Sequence, residues 1–336
     1  IVYLLLLFSV DKLVLYAILL VLTQFCIRCC YTIYCNKHFP ETQLRKVNDW
    51  ALVKEIGFFS TWSLLGNAAY VSYTQGLNVL LNMFFAPTVN AARGIALQVQ
   101  TAVNQFVQNF QTALNPQITK SYASGNLPYM YNLVFRSARF SYFMLLILSL
   151  PILVEAETIL NLWLTVVPED TVIFLRLILL TTWINSIANP LIVSVKATGR
   201  IKRYESVVGV IMLLILPISY LFLKLGYPSY TVFIVHLCME CVAQVARVLI
   251  TRDLIGFSIV SFIKSVILRI SLVTVAALIP SLSLYIFLEN SVYSFFVVCL
   301  ASVVFSCLAI YLLGLTKYER QLIKNKAVSL LFKLKK

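Results

Sequence analysis

The chain of 336 residues is 60% hydrophobic and only 12% charged, with a mean hydropathy of +0.89. A soluble domain carries about a quarter charged residues, so this composition excludes an ordinary soluble enzyme, a disordered protein and a secreted disulfide scaffold. Apolar residues run in long unbroken blocks instead of alternating with polar ones, which excludes a porin-like barrel and predicts an all-α, polytopic membrane protein. The net charge of +14 does not point to nucleic acid, because the basic residues gather in short loops between apolar blocks, as membrane topology requires.

Residues Ile1 to Val10 are apolar but too short to cross a bilayer core, which takes about 20 helical residues. With no Met and no charged flank, this stretch reads as the end of a helix that begins upstream, and the chain as a fragment. Apolar blocks then predict nine spans, over 13–35, 57–84, 89–117, 135–155, 171–195, 206–224, 229–251, 262–287 and 292–315. Residues 36–56 read as a linker, and 316–336 as a basic tail. In that tail Leu322, Ile323, Leu330, Leu331 and Phe332 can share one side of a helix resting on an anionic leaflet, with a frayed basic tail as the equal alternative.

Loop charges test the count. One set of alternate loops carries Lys37, Arg45, Lys46 and Lys54; then Lys120, Arg136 and Arg139; then Lys196, Arg200, Lys202 and Arg203; then Arg252 and Lys264; and finally the tail lysines. The opposite loops hold only Lys12 and Lys224, beside the acidic Glu155, Glu157, Glu169 and Asp170. The positive-inside rule places the first set, and the C-terminus, in the cytoplasm.

Two adjacent spans are unusually polar. Residues 57–84 include Asn67, Thr74, Gln75, Asn78 and Asn82. Residues 89–117 include Asn90, Arg93, Gln100, Asn104, Gln108, Gln111 and Asn115, which recur at three-, four- or seven-residue steps and so fall on one helix face. Gln98, Gln105 and Asn109 widen that face. An interhelical amide zipper uses one or two amides per helix. A full-length stripe predicts instead the wall of a hydrated cavity, lined by Asn67, Gln75, Asn78 and Asn82 with the second set from Asn90 to Asn115. Amides and an arginine suit a hydroxyl-rich or phosphate-bearing ligand.

Glu240 lies midway along 229–251, where a lone carboxylate is costly. It reads either as one half of a static ion pair with Arg247 or Arg269, or as a titrating group that couples transport to protons or sodium with His236 one turn away. Arg176 reads equally as a snorkelling cation. Pro116, Pro151, Pro190 and Pro217 predict kinks or helix ends. The eight cysteines lie in or beside apolar segments, and Cys238 and Cys241 have no second pair, so packing is predicted over metal or redox chemistry. The two histidines, His38 and His236, are far apart, and no catalytic, nucleotide-binding or dinucleotide motif occurs. The chain therefore reads as a non-enzyme without cofactor or metal.

The stretches YTQGLNVLLNMFFAPTVNAARGIA (73–96) and VNQFVQNFQTALNPQITKSYA (103–123) resemble bacterial polysaccharide biosynthesis proteins. These are the O-antigen and capsule flippases of the Wzx type, in the multidrug/oligosaccharidyl-lipid/polysaccharide exporter superfamily. The resemblance implies two six-helix bundles facing each other across a central cavity, a MATE-like arrangement. Residues 57–251 would be the second bundle, 262–315 an accessory pair and 1–35 a remnant of the first bundle. It further implies flipping of an undecaprenyl-pyrophosphate-linked glycan across the bacterial inner membrane, driven by an ion gradient. Arg93 and Arg28 would meet the pyrophosphate and Glu240 with His236 would bind the ion. Implied partners are membrane lipids, the lipid-linked glycan, protons or sodium, a polysaccharide polymerase and chain-length proteins. Alternatives are a multidrug/cation antiporter, expected to line its cavity with acids and aromatics, and an inactive fragment or assembly partner in an envelope complex.

Overall fold

Long apolar blocks in a bilayer fold as helices because hydrocarbon offers no partner to a free backbone N–H or C=O. The computed structural model describes residues 11–42, 49–288, 291–322 and 324–325, and among them the chain is an all-α membrane bundle without a strand. The predicted partial helix over Ile1 to Val10, and Ile323, Leu330, Leu331 and Phe332 of the tail, lie outside the described residues. The chain divides into two compact units, Ile1–Glu55 and Ile56–Lys336.

In the first unit, helix α1 (Lys12–His38) starts where the Asp11 carboxylate accepts the Leu13 N–H at 2.9 Å. It ends with Lys37 and His38 in its last turn, where cations suit the negative helix terminus. A 3₁₀ turn, Pro40–Thr42, follows. The apolar stretch of α1 is long enough to cross a membrane.

The second unit takes up most of α2 (Trp50–Phe84) and continues with α3 (Pro87–Ala123) and α4 (Leu127–Val154). The junction of α3 and α4 is only Ser124–Asn126, with Gly125 at positive φ and the Asn126 side chain capping Tyr129. Lys120, Arg136 and Arg139, predicted in a loop, are therefore helical, because both helices run on past the bilayer-length core. Then come α5 (Ala156–Trp163), α6 (Thr171–Ser186), α7 (Ala188–Ala197), α8 (Lys202–Leu213), α9 (Ile215–Lys224) and α10 (Thr231–Ile255). A hairpin closes the unit: α11 (Ile259–Phe262), a π turn (Ile263–Ile267) and α12 (Leu268–Phe287) form one arm, and α13 (Val292–Ala309) with a second π turn (Ile310–Gly314) forms the other.

Among the described residues, seven helical segments are long and apolar enough to cross a membrane. Helices α2 and α3 have the length, with 35 and 37 residues, but their amides make them less apolar. The breaks at Ile187, between α6 and α7, and at Leu214, between α8 and α9, each precede a proline by three residues. Pro190 and Pro217 cannot donate to the carbonyl four residues back, and their rings crowd it.

Two apolar clusters hold the unit together. One joins α4 to α12 and α13 through residues such as Leu145, Leu146, Val273 and Val298. The other joins α2, α6, α8 and α10 through Leu77, Phe174, Tyr204 and Phe233. Helix α3 serves both, with Ala92 and Ala96 in the second and Val103, Val107 and Ile118 in the first. The hairpin thus shares a core with α4. Arg176 is half-buried and donates through Nε to the Leu153 carbonyl at 3.2 Å, satisfying an acceptor in the last turn of α4.

A polar clamp locks the hairpin to α4. Arg139 donates to the Gly314 carbonyl at 3.2 Å and to Glu319 Oε1 at 2.8 Å, and Arg136 Nε reaches the same oxygen at 3.1 Å. A side chain at Gly314 would strike the Phe143 ring, so glycine is what lets this carbonyl come close. Burial alone would raise the Glu319 pKa, but the Thr316 N–H and hydroxyl together with Arg139 and Arg136 hold it below the ordinary carboxylate value. A depressed folded value means that the clamp adds stability above the unfolded carboxylate pKa of about 4.3 and loses it as pH falls through the folded value. Glu319→Gln should lower unfolding stability at pH 7 by about 3 kcal/mol. Thermal unfolding in detergent between about pH 5 and 3 should show the wild type losing stability that the variant no longer has to lose; parallel pH profiles would refute this account.

Candidate functional site

A cavity of about 490 Å³ lies between α3 on one side and α6 and α7 on the other, with Tyr70 of α2 at its edge. Helical spacing brings Gln100, Asn104, Gln108, Gln111 and Asn115 of α3 onto this wall. Facing them are Thr182, Asn185 and Ser186 of α6 and Asn189 of α7.

Some of these groups fasten the walls together. The Gln100 amide donates to Thr182 Oγ1 at 2.7 Å. Gln111, buried, donates through Nε2 to Ser141 Oγ of α4 at 3.0 Å and to the Ser186 carbonyl at 3.1 Å. That carbonyl is the one Pro190 leaves without a helical N–H, since its partner would be residue 190. A single amide therefore joins three helices and satisfies the acceptor opened by the proline. Other cavity groups are uncommitted: among the described residues the side chains of Asn104, Gln108 and Asn185 make no hydrogen bond. Donors and acceptors held on rigid helices but unused are available to a polyhydroxylated ligand.

The predicted stripe divides. Asn90 and Arg93, at the start of α3, turn instead to α2: Asn90 Nδ2 donates to the Asn78 carbonyl at 3.1 Å, and Arg93 donates to Asn78 Oδ1 and, at 3.2 Å, to the Thr74 carbonyl. Asn78 in turn donates to Gln75 Oε1 at 3.0 Å. Gln75, Asn78, Asn82 and Asn90, predicted to line the cavity, are therefore not on its wall. The first, second and fourth belong to an interhelical knot, and Asn82 is exposed elsewhere on α2. The turn at Phe85 and Ala86 sets the end of α2 beside the start of α3, so polar groups there meet each other before they can meet a cavity.

Arg93 is 4% exposed and borders a separate space of about 70 Å³ together with His236, whose ring stands edge-on to Tyr73 at 5.4 Å. Asn67 lines a third space of about 180 Å³ with Glu240 and Arg247. Glu240 pairs with Arg247, not with Arg269, at 2.5 Å, and both are buried. His236 makes no hydrogen bond to Glu240 among the described residues. Tyr70 and Asn185 line all three spaces, so they are adjoining compartments. Arg28 lies on α1 in the first unit and is exposed. All eight cysteines are free, and no group of three or more His, Cys, Asp or Glu stands together among the described residues.

The wall formed by Thr182, Asn185, Ser186 and Asn189 was not singled out by sequence reasoning. The signal for it is the run Asn185, Ser186, Asn189, Pro190, where polar residues crowd a proline inside an apolar block. Compared with family models, with curated proteins and with solved structures, the chain matches none.

The proline and the amide should be energetically linked. Gln111→Ala should cost about 2 kcal/mol, because it strands a buried carbonyl. In a Pro190→Ala background the restored N–H takes over that carbonyl, and the cost of Gln111→Ala should shrink by about 1 kcal/mol or more. A thermal-unfolding double-mutant cycle measures this coupling, and additive effects would contradict it.

Proposed function

We propose that this chain forms the glycan-handling part of a flippase that moves a lipid-linked oligosaccharide, of the undecaprenyl-pyrophosphate class, across the bacterial inner membrane. The supporting observation is the 490 Å³ cavity walled by amides and hydroxyls between helices of a membrane bundle, several of them uncommitted. A volume of this size lies within the range of about 300–1,000 Å³ typical of ligand sites. In this reading the amides exchange hydrogen bonds with sugar hydroxyls in the cavity while the lipid tail stays in hydrocarbon. No acidic residue lines the cavity, which counts against a site for lipophilic cations.

Arg93 is held by Asn78 and Thr74, so it meets a pyrophosphate only in a state where that knot opens. The Glu240–Arg247 pair is the element for ion coupling: a proton or sodium ion on the carboxylate competes with Arg247 and so favours one state of the cavity over the other. The chain acts as a transporter and not as an enzyme. The basic ends of its helices and its basic tail face the cytoplasm, and its partners are the lipid-linked glycan, bilayer lipids, and a polysaccharide polymerase with its chain-length proteins.

The test is complementation of a flippase-deficient, polysaccharide-producing strain by the protein that contains this chain. Wild type should restore surface polysaccharide and clear lipid-linked repeat units from the inner leaflet. The Asn104→Ala, Gln108→Ala double variant should lower flipping about tenfold at unchanged expression, as expected for two lost hydrogen bonds. Full flipping by the double variant would remove the cavity from the mechanism. Extrusion of cationic dyes without polysaccharide rescue would replace the flippase reading with an antiporter.

A further inference from the structure

A second polar cleft, of about 360 Å³, opens at the other core of the unit, between α4, the start of the α11–α12 arm and the segment after α13. Arg136, Arg139 and Arg269 line it, with Thr316, Tyr318 and Glu319. It shares no residue with the amide cavity.

The charges in this cleft do not balance. The one carboxylate, Glu319, is fully engaged: Oε1 takes Arg136 and Arg139, and Oε2 takes the Thr316 N–H at 2.8 Å. Arg139 spends its remaining Nη on the Gly314 carbonyl. Three guanidinium groups thus meet one anion. Arg269 has no anionic partner among the described residues, and its Nη1 is shut off from solvent without an acceptor. A buried cationic N–H with no acceptor is costly, and three arginine forks around a cavity match the geometry of a phosphate group.

The shape of the cleft agrees with the charge. Ser265, in one π turn, lines the cleft, and the other π turn ends at the Gly314 carbonyl that holds Arg139. Such local widenings recur at functional sites in helices. Arg136 is 43% exposed, which leaves a way in, and the exposed Tyr129 and Tyr318 stand at the rim. At 1.5 Å per residue, Arg136 lies about 14 Å along α4 from its start, and amphipathic tyrosine rings such as those at the rim are enriched where lipid headgroups lie.

We propose that this cleft binds a phosphate oxyanion, held by Arg136 and Arg269 while Arg139 and Glu319 keep the walls in place. The same chemistry is offered by an anionic phospholipid headgroup and by soluble phosphate or pyrophosphate. The site is independent of the flippase reading, since it uses none of the amide cavity.

The experiment is a binding titration of the purified full chain in neutral detergent. One arm uses mixed micelles of phosphatidylglycerol, with phosphatidylcholine as the zwitterionic control; the other uses inorganic phosphate and pyrophosphate. Arg269→Gln and Arg136→Gln should each weaken binding about tenfold. Arg203→Gln, at an exposed arginine paired with Asp253, should leave it unchanged. Arginine-dependent binding of phosphatidylglycerol alone assigns the site to a lipid headgroup, and arginine-dependent binding of the inorganic anions assigns it to a soluble phosphate. If Arg269→Gln does not fold, Arg269→Lys keeps the charge and loses the fork, and Arg136→Gln, at an exposed position, stands in its place. Equal binding by wild type and the cleft variants, equal affinity for the two lipids with none for phosphate, or an equal loss in Arg203→Gln would overturn the proposal.

Discussion

A carbonyl deprived of its helical N–H inside a membrane bundle has to find another donor, and the second unit is arranged around one such carbonyl. Pro190 takes the donor away from Ser186, and the Gln111 amide replaces it from α3 while also holding Ser141 of α4. Three helices meet at this point. The break that the proline imposes separates α6 from α7 and leaves Asn185 and Asn189 on either side of it, facing the amides of α3. The cavity wall and the joint that supports it thus come from the same short run of sequence. Polar side chains are expensive in hydrocarbon unless they are paired or hydrated, and here pairing at Gln111 and Gln100 stiffens the frame on which the unpaired Asn104 and Gln108 stand.

The same amide chemistry serves a second purpose one helical stretch away. At the start of α3, Asn90 and Arg93 join Asn78, Gln75 and the Thr74 carbonyl of α2. This is interhelical glue of the kind membrane proteins use where apolar contact gives little preference over lipid. The distinction between glue and lining is one of distance between helices. Where two helices are held together by a tight turn, the amides find each other. Where the neighbouring helix is broken and displaced by a proline, the amides are left facing space.

Charge is distributed on a different principle. Buried carboxylates meet guanidinium groups at two places: Glu240 with Arg247, and Glu319 with Arg136 and Arg139 in the clamp that ties the hairpin to α4. The carboxylate in that clamp is shared by two guanidinium groups, and Arg269 beside it is left over. An unbalanced cation within a helix bundle is where, in the proposal above, a ligand and not the protein supplies the counter-charge. The neutral cavity and the cationic cleft therefore offer different chemistries, amides and hydroxyls in one and guanidinium groups in the other.

The amino-acid sequence by itself determined that this is an all-α membrane protein, because unbroken apolar blocks leave the backbone no other way to satisfy its hydrogen bonds. Strict helical periodicity also placed Gln100, Asn104, Gln108, Gln111 and Asn115 on one face, and Pro190 and Pro217 located two helix breaks to within three residues. The helix ends were less legible: α3 and α4 continue through Lys120, Arg136 and Arg139, since charged residues are good helix formers and mark only where the bilayer stops. Periodicity tells which residues share a face but not what that face meets, so only the tertiary structure decided that Asn78, Asn90 and Arg93 are spent on a knot. For the same reason only the fold could choose Arg247 over Arg269 as the partner of Glu240. It also brought Asn185 and Asn189 opposite α3, and gathered Arg136, Arg139, Arg269 and Glu319 from distant parts of the chain into one cleft.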